Sequence, residues 1–165
     1  MSEIFDLSRT LGERLLARGW LLATAESCTG GGIACAVTDI AGSSAWFDRG
    51  FVTYSNAAKQ DMLGVPAATL AAHGAVSEAT ARAMASGALA RSAAGVAVAV
   101  TGVAGPSGGS PAKPVGTVWF AYALAGGAVH ARLHRYDGDR AAVRARTVER
   151  ALGDLIRLAD GLDPE

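Results

Sequence analysis

Three side chains of this sequence could together activate a nucleophile: Ser27, Tyr54 and Lys59. Ser27 follows a short apolar run and precedes Gly30 and Gly31, an arrangement typical of a strand that turns into a helix. Backbone N–H groups at the start of such a helix can stabilise negative charge beside the serine. The pattern is compatible with two interpretations, a nucleophile or a serine that only caps the helix.

Lysine is the base that this serine would require, because the sequence places no histidine suitably for a Ser-His-Asp triad. Lys59 accepts a proton only when neutral, and with a pKa near 10.4 only about 1 lysine in 2,500 is neutral at pH 7. Lowering that pKa to roughly 7–8 requires about 3–5 kcal/mol, which burial beside Met62 and Leu63 could supply. Tyr54 would relay or orient the proton. The alternatives are a solvated Lys59 and a Tyr54 that is simply a strand aromatic.

The elements that must position these residues can be predicted from hydrophobic periodicity. Strands are predicted over residues 20–25, 47–54, 95–101, 115–124 and 129–136. Helices are predicted over residues 4–18, 29–38, 56–63, 66–73, 77–91 and 139–159. The run 95–101 is apolar on both faces, which is typical of a central strand covered by helices on both sides. Alternating strands and helices, followed by a hairpin through Gly126-Gly127, predict a single-domain layered α/β/α fold with a mixed, largely parallel sheet.

Four polar segments are candidates for a shared site, and three of them follow predicted strands. They are residues 27–32, 42–44, 54–59 and 101–106. Ligands of open α/β sheets bind outside the carboxyl ends of the strands, so these segments could converge on one pocket. The glycine-rich loop 102–109 resembles a phosphate cradle in composition, and a flexible connection is the alternative.

The composition predicts one globular domain over residues 1–165, with half of its residues hydrophobic and 18% charged. No apolar run approaches the roughly 20 residues that span a bilayer. The amino-terminal residues do not resemble a signal peptide, so we expect a cytoplasmic protein without a membrane partner. Fifteen basic residues balance fifteen acidic ones, so no overall field attracts nucleic acid. Cys28 and Cys35 have neither disulfide nor zinc-ligand spacing, and no metal site is expected.

Five ordered segments resemble the CinA C-terminal domain family, the family of the nicotinamide-nucleotide amidases. They are AESCTGG at 25–31, YSNAAK at 54–59, HGAVS at 73–77, TGVAGP at 101–106 and KPVGTV at 113–118. The resemblance extends from about residue 5 to residue 160. One segment departs from it, because Ser107 stands where an aspartate is often expected. Many relatives carry an additional amino-terminal domain, and this sequence resembles the stand-alone form.

The resemblance implies hydrolysis of the carboxamide of nicotinamide mononucleotide (NMN), which yields nicotinate mononucleotide and ammonia in pyridine nucleotide salvage. Ser27 would be the nucleophile that forms an acyl-enzyme, Lys59 the general base, and Tyr54 an assisting group. The resemblance also implies a small-molecule nucleotide substrate, no metal or other cofactor, and a homo-oligomer (a dimer or larger).

Two further sets of residues are expected around the substrate. Backbone N–H groups near the predicted helix start would stabilise the oxyanion, and they belong to Thr29, Gly30 and Gly31. The resemblance and the glycine-rich loop add the expected binding residues Ser44, Thr101, Gly102, Gly105 and Arg140.

A non-catalytic module that binds a nucleotide, with a role in competence or DNA damage, is the alternative function. A late basic cluster could favour a nucleic-acid partner, and it consists of Arg132, Arg135, Arg140, Arg144, Arg146 and Arg150. Acidic residues interleave with these arginines, so we expect a solvated or intersubunit face, and no nucleic-acid partner.

Overall fold

The computed structural model describes residues 3–165 and shows an α/β/α sandwich. Met1 and Ser2, which belong to the predicted domain, lie outside the described residues. The elements in chain order are α1 (Glu3–Arg18), β1 (Leu22–Glu26), α2 (Gly32–Thr38), β2 (Phe47–Val52), α3 (Asn56–Leu63), α4 (Ala67–His73), α5 (Glu78–Ala90), β3 (Val96–Gly102), β4 (Thr117–Leu124), β5 (Val129–Arg135) and α6 (Arg140–Ala159).

The five strands form one mixed sheet in the order β2-β1-β3-β4-β5. Strands β2, β1 and β3 are parallel, and β4 and β5 continue the sheet as an antiparallel hairpin. In the parallel part, Glu26 pairs with both Val52 and Val100. The carboxyl ends of three strands therefore lie side by side, as required for a shared site. The layered α/β fold with a mixed sheet that the sequence predicts is confirmed.

Alternate residues of β3 face two apolar cores on opposite sides of the sheet. Val96, Val98 and Val100 pack in the core that contains α1, α2 and α6. Ala97 and Ala99 pack in the second core, which contains α3, α4 and the alanine-rich α5. The small side chains on this second face allow α5 to lie close to the sheet. The apolar run on both faces of β3 thus reflects burial on both sides, as predicted.

Three predicted boundaries around the site differ from the structure by two or three residues. Helix α2 begins at Gly32 and not at residue 29, because Gly30 (φ 60°) and Gly31 (φ 104°) adopt left-handed conformations that interrupt a helix. Strand β2 ends at Val52 and β4 begins at Thr117, each two residues inside the predicted strand. The segment that carries the candidate nucleophile is therefore a longer turn than the sequence indicates.

Residues 3–165 contain no helix that is long and apolar enough to cross a bilayer. Within the same described residues, no group of three or more His, Cys, Asp or Glu side chains is arranged to hold a metal ion. Cys28 and Cys35 are both free thiols.

Candidate active site

A pocket of about 370 Å³ opens at the carboxyl ends of the three parallel strands. Strand β1 delivers the Ser27 turn, the segment after β2 delivers Tyr54, and β3 ends in Thr101 and Gly102. The convergence predicted from the strand ends is present for three of the four candidate segments. The predicted site residues in the pocket wall are Ser27, Tyr54, Lys59, Thr101, Gly102, Gly105 and Arg140.

Helix α3 carries Lys59 into the floor of this pocket. Ser55 caps the helix, and its Oγ accepts a hydrogen bond of 3.0 Å from the Ala58 N–H. Lys59 is only 1% exposed, although lysine is almost never fully buried unless it is paired. Its Nζ lies 3.0 Å from Ser27 Oγ, 2.9 Å from the Thr53 carbonyl oxygen and 3.2 Å from that of Tyr54.

The surroundings of Lys59 change how readily its ammonium group loses a proton. Burial lowers the pKa of Lys59 below its ordinary value, because a charge loses hydration in the protein interior. A neutral amine has two N–H groups and one lone pair. When the two N–H groups donate to the carbonyl oxygens of Thr53 and Tyr54, the lone pair is left for the Ser27 hydroxyl. The geometry thus provides a base that can accept the proton of Ser27.

Glu26 organises the turn that follows β1, and the sequence-based prediction did not include this residue. Its side chain is fully buried, and one carboxylate oxygen accepts hydrogen bonds from Thr29 Oγ1 (2.6 Å) and the Ile33 N–H (2.8 Å). The other oxygen accepts one from the Ala34 N–H (3.0 Å). The Glu26 carboxylate therefore accepts hydrogen bonds from backbone amides in the first turn of α2, which have no acceptor within the helix. A glutamate at the end of an apolar strand, three residues before a threonine, was the available signal in the sequence.

The structure places Thr29, Gly30 and Gly31, the expected oxyanion donors, in the turn between β1 and α2. None of the three is part of the pocket wall. The Thr29 hydroxyl is committed to Glu26, and the Gly30 N–H donates 3.0 Å to the Ser27 carbonyl oxygen. The two glycines serve the turn instead, since both need positive φ.

Ser44 is also not brought to the pocket within this chain. It lies in a short 3-10 turn before β2. Two residues later, the Trp46 carbonyl oxygen accepts a hydrogen bond from the Leu22 N–H at the start of β1. Because β1 and β2 are parallel, residues before β2 lie at the amino end of the sheet. Ser27 lies at the opposite end, so the fourth predicted segment is separated from the other three.

Arg140 links Tyr54, after β2, to Gly105 in the glycine-rich loop. Its Nη1 donates to the Gly105 carbonyl oxygen at 2.9 Å, and its Nη2 donates to the Tyr54 hydroxyl at 3.0 Å. Thr101 Oγ1 donates to the Ala75 carbonyl oxygen at 2.8 Å, which ties β3 to the segment before α5. Tyr54, Gly105 and Arg140 thus form one side of the pocket mouth.

Cys28 lies next to Ser27 in the pocket wall and is the competing candidate nucleophile. Burial raises the pKa of the Cys28 thiol to about 11, and the negative charge of Glu26 adds to the shift. Only a thiolate attacks carbonyl carbon efficiently, and this thiol stays protonated at neutral pH. The electrostatics favour Ser27 over Cys28.

The late basic cluster, expected to be a solvated or intersubunit face, is largely exposed, and several of its arginines also hold partners within the chain. Arg140 and Arg144 hold parts of the site, with Arg144 donating to the Cys28 and Thr29 carbonyl oxygens. Arg132 donates to the Pro164 carbonyl oxygen, and Arg150 pairs with Glu165. Helix α6 folds back against the sheet, so arginines spaced along it meet partners of the same chain.

These features define an α/β/α domain with a buried serine–lysine pair at the carboxyl edge of its parallel strands. The chain belongs to the CinA C-terminal domain family, whose model matches residues 4–159. The family resemblance predicted from the sequence is confirmed.

Curated relatives and solved structures agree with this assignment. The chain is 56% identical over 154 residues to nicotinamide-nucleotide amidohydrolase PncC of Escherichia coli, covering 93% of each chain. It is 55% identical over 159 residues to the protein of the same name from Enterobacter agglomerans, covering 95% of this chain and 97% of the relative. The crystal structure of competence/damage inducible protein CihA from Agrobacterium tumefaciens superposes with a TM-score of 0.93 at 53% identity, covering 96% of both chains.

Proposed function

We propose that this protein is a nicotinamide-nucleotide amidohydrolase that converts NMN and water into nicotinate mononucleotide and ammonia. The observation that carries the proposal is the contact of 3.0 Å between Lys59 Nζ and Ser27 Oγ inside a pocket. The name shared by relatives at 55–56% identity supports the substrate. A serine activated by a lysine suits an amide, which needs a strong nucleophile and a donor for the leaving nitrogen.

The first half of the proposed reaction forms an ester on Ser27. Neutral Lys59 takes the hydroxyl proton while Ser27 Oγ attacks the carboxamide carbon, and the carbonyl oxygen becomes an oxyanion. The Lys59 ammonium then gives its proton to the amide nitrogen. The carbon–nitrogen bond breaks, ammonia leaves, and Lys59 is neutral again.

The second half hydrolyses this ester. Lys59 takes a proton from a water molecule that attacks the same carbon, and the bond to Ser27 Oγ breaks. Ser27 recovers its proton from Lys59, and nicotinate mononucleotide is released. The base is reset after each half-reaction, so the scheme needs no further proton carrier from the chain.

The oxyanion would be stabilised by the Ser27 turn, within the pocket wall. The amides of Ile33 and Ala34 donate to Glu26 and are not available for this purpose. The Cys28 segment of the turn lies in the pocket wall, so we assign the oxyanion to its backbone N–H. On the substrate side, we assign Thr101, Gly102 and Gly105 to the nucleotide, with Tyr54 and Arg140 at the pocket mouth. Ser44 is not part of this proposed site.

Ammonia release from NMN tests the proposal directly. We expect Ser27→Ala to abolish turnover and Lys59→Met to lower kcat by about 10²–10⁴-fold, the usual contribution of a general base. The matched controls are Ser92→Ala, in the turn after α5, and Lys113→Met, whose Nζ contacts the His73 carbonyl oxygen. We expect both to retain activity. Full activity of Ser27→Ala would refute the scheme, and NMN binding without ammonia release would favour a non-catalytic binding module.

The cytoplasmic location and the homo-oligomer stay predictions of the sequence. Light scattering on the purified chain would measure the oligomeric state, and cell fractionation the location.

A further inference from the structure

The turn that carries Ser27 needs support from outside itself. Its two glycines, Gly30 and Gly31, have positive φ, and glycine restricts the backbone of the unfolded chain less than any other residue does. Its inner side is anchored, because the Ser27 N–H donates to the Val100 carbonyl oxygen at 3.1 Å and Glu26 holds the start of α2. The other side of the turn faces α6 with two successive carbonyl groups, those of Cys28 and Thr29, and within the turn the Thr29 oxygen also accepts a hydrogen bond of 3.1 Å from the Gly32 N–H.

Arg144 donates to both carbonyl groups from α6. Its Nε donates to the Cys28 carbonyl oxygen at 3.1 Å, and its Nη2 donates to the Thr29 carbonyl oxygen at 3.1 Å. The two acceptors are neighbours in sequence, and the planar guanidinium matches their spacing in a fixed fork. A lysine side chain ends in one nitrogen and cannot hold both carbonyls with the same geometry.

Helix α6 is a rigid support for this contact. It runs for 20 residues and packs through Val143, Val148 and Leu152 in the core that it shares with α1 and α2. One helical turn before Arg144, Arg140 holds Gly105 and Tyr54 on the other side of the pocket. Residues four apart lie on the same helix face. The same helix thus sets the position of the nucleophile turn relative to the opposite wall.

We propose that Arg144 is a positioning residue, which places Ser27 for attack by holding the Cys28 and Thr29 carbonyl groups. This inference rests on the proposed role of Ser27 as the nucleophile. Arg144 acts through the backbone and contacts neither Lys59 nor the Ser27 hydroxyl. Misplacing a reacting atom by about 1 Å can cost 10²-fold in rate, so loss of this contact reduces the rate of acylation more than substrate binding.

Two substitutions of Arg144 separate position from charge. Arg144→Met removes the charge and both hydrogen-bond donors. Arg144→Lys keeps the charge, but its single nitrogen cannot hold both carbonyl groups in the same geometry. The matched control is Arg146→Met, because Arg146 lies on the same helix and lines a different surface cavity with Glu3 and Glu149. Thermal unfolding of each variant shows whether the fold is retained.

Steady-state kinetics with NMN is the first measurement. We expect both Arg144 variants to lose about tenfold or more in kcat, with KM within about threefold of the wild type, which is the signature of an interaction that acts in the transition state. The Arg146 variant should retain both constants. A fully active Arg144→Lys would overturn the inference, since charge alone would then suffice. A rise in KM with unchanged kcat would overturn it too, because Arg144 would then be binding substrate.

Covalent labelling of Ser27 by a small fluorophosphonate is the second measurement, and it does not depend on NMN. We expect the labelling rate of both Arg144 variants to fall by a factor similar to that of kcat. If the wild type labels at Ser27 but releases no ammonia from NMN, slower labelling of the variants still supports the role of Arg144, and only the substrate assignment fails. Equal labelling rates in folded wild type and variants would overturn the inference.

Discussion

Lys59 Nζ lies 3.0 Å from Ser27 Oγ, although 32 positions separate the two residues in sequence. The contact exists because β1 and β2 are parallel neighbours, so the turn after β1 and the helix after β2 start from the same edge of the sheet. Both side chains are buried there, Ser27 at 7% and Lys59 at 1% exposure. A serine and a lysine in direct contact in this way can exchange a proton without an intervening group.

The buried lysine makes stability depend on pH. The pKa of Lys59 is lowered in the folded state from its ordinary value of 10.5, so between these two values the unfolded chain binds more protons than the folded one. The contribution of Lys59 to the free energy of unfolding therefore rises with pH in this window and levels off above 10.5. We expect the difference in unfolding free energy between the wild type and Lys59→Met, from urea titrations, to grow with pH there. A constant or falling difference would show that burial does not penalise the ammonium.

The Cys28 thiol should be unreactive despite its place beside Ser27, the proposed nucleophile. With a pKa of about 11, roughly 1 thiol in 1,000 is ionised at pH 8, whereas Cys35 is exposed on α2. We expect iodoacetamide to modify Cys28 in a Cys35→Ser protein about 100-fold more slowly than Cys35 in a Cys28→Ser protein. The difference should vanish in urea. Equal rates in the folded proteins would contradict a buried, protonated thiol.

The side chains of Tyr54 and Arg140, joined by a hydrogen bond at the pocket mouth, should act together. Tyr54→Phe removes only the hydroxyl that Arg140 Nη2 contacts, and Arg140→Met removes the donor. Tyr54 is 59% exposed, so the bond contributes modestly, and we expect each change to lower kcat/KM about five- to tenfold. The double variant should lose about as much as the worse single variant. Losses that multiply would indicate two independent roles.

Two glycines inside helices provide opposite tests of packing around Lys59. A Cβ on Gly87 of α5 would overlap the Leu63 carbonyl oxygen at the end of α3, the helix that carries Lys59. We expect Gly87→Ala to lower the melting temperature and kcat together, because α3 must move. A Cβ on Gly153 of α6 would meet no neighbouring atom within 4 Å, and Gly153→Ala should stabilise the fold by about 0.5–1 kcal/mol. Calorimetry measures the melting temperature and the ammonia assay measures kcat. A Gly87→Ala protein that matches the wild type in both would contradict the expected overlap with α3.

Much of the architecture was accessible from local patterns. The apolar residues of β3 predicted a strand buried on both faces, and the valines and alanines do face two separate cores. The Gly126-Gly127 pair predicted the hairpin between β4 and β5, and the helix predicted over residues 56–63 coincides with α3. These features depend on residues close together in sequence, whose conformational preferences act within one turn or one strand.

The sequence by itself determined which chemistry was possible: a serine without a suitable histidine needs a lysine, and that lysine must be buried to be neutral. Only the tertiary structure decided which groups meet. It joined Lys59 to Ser27, sent Ser44 to the opposite end of the sheet, and brought Arg144 across 116 positions to the Cys28 carbonyl oxygen. The physical reason is that these contacts depend on the order and direction of strands and on the packing of α6. Such long-range relations leave no periodic signal in the sequence around any one residue.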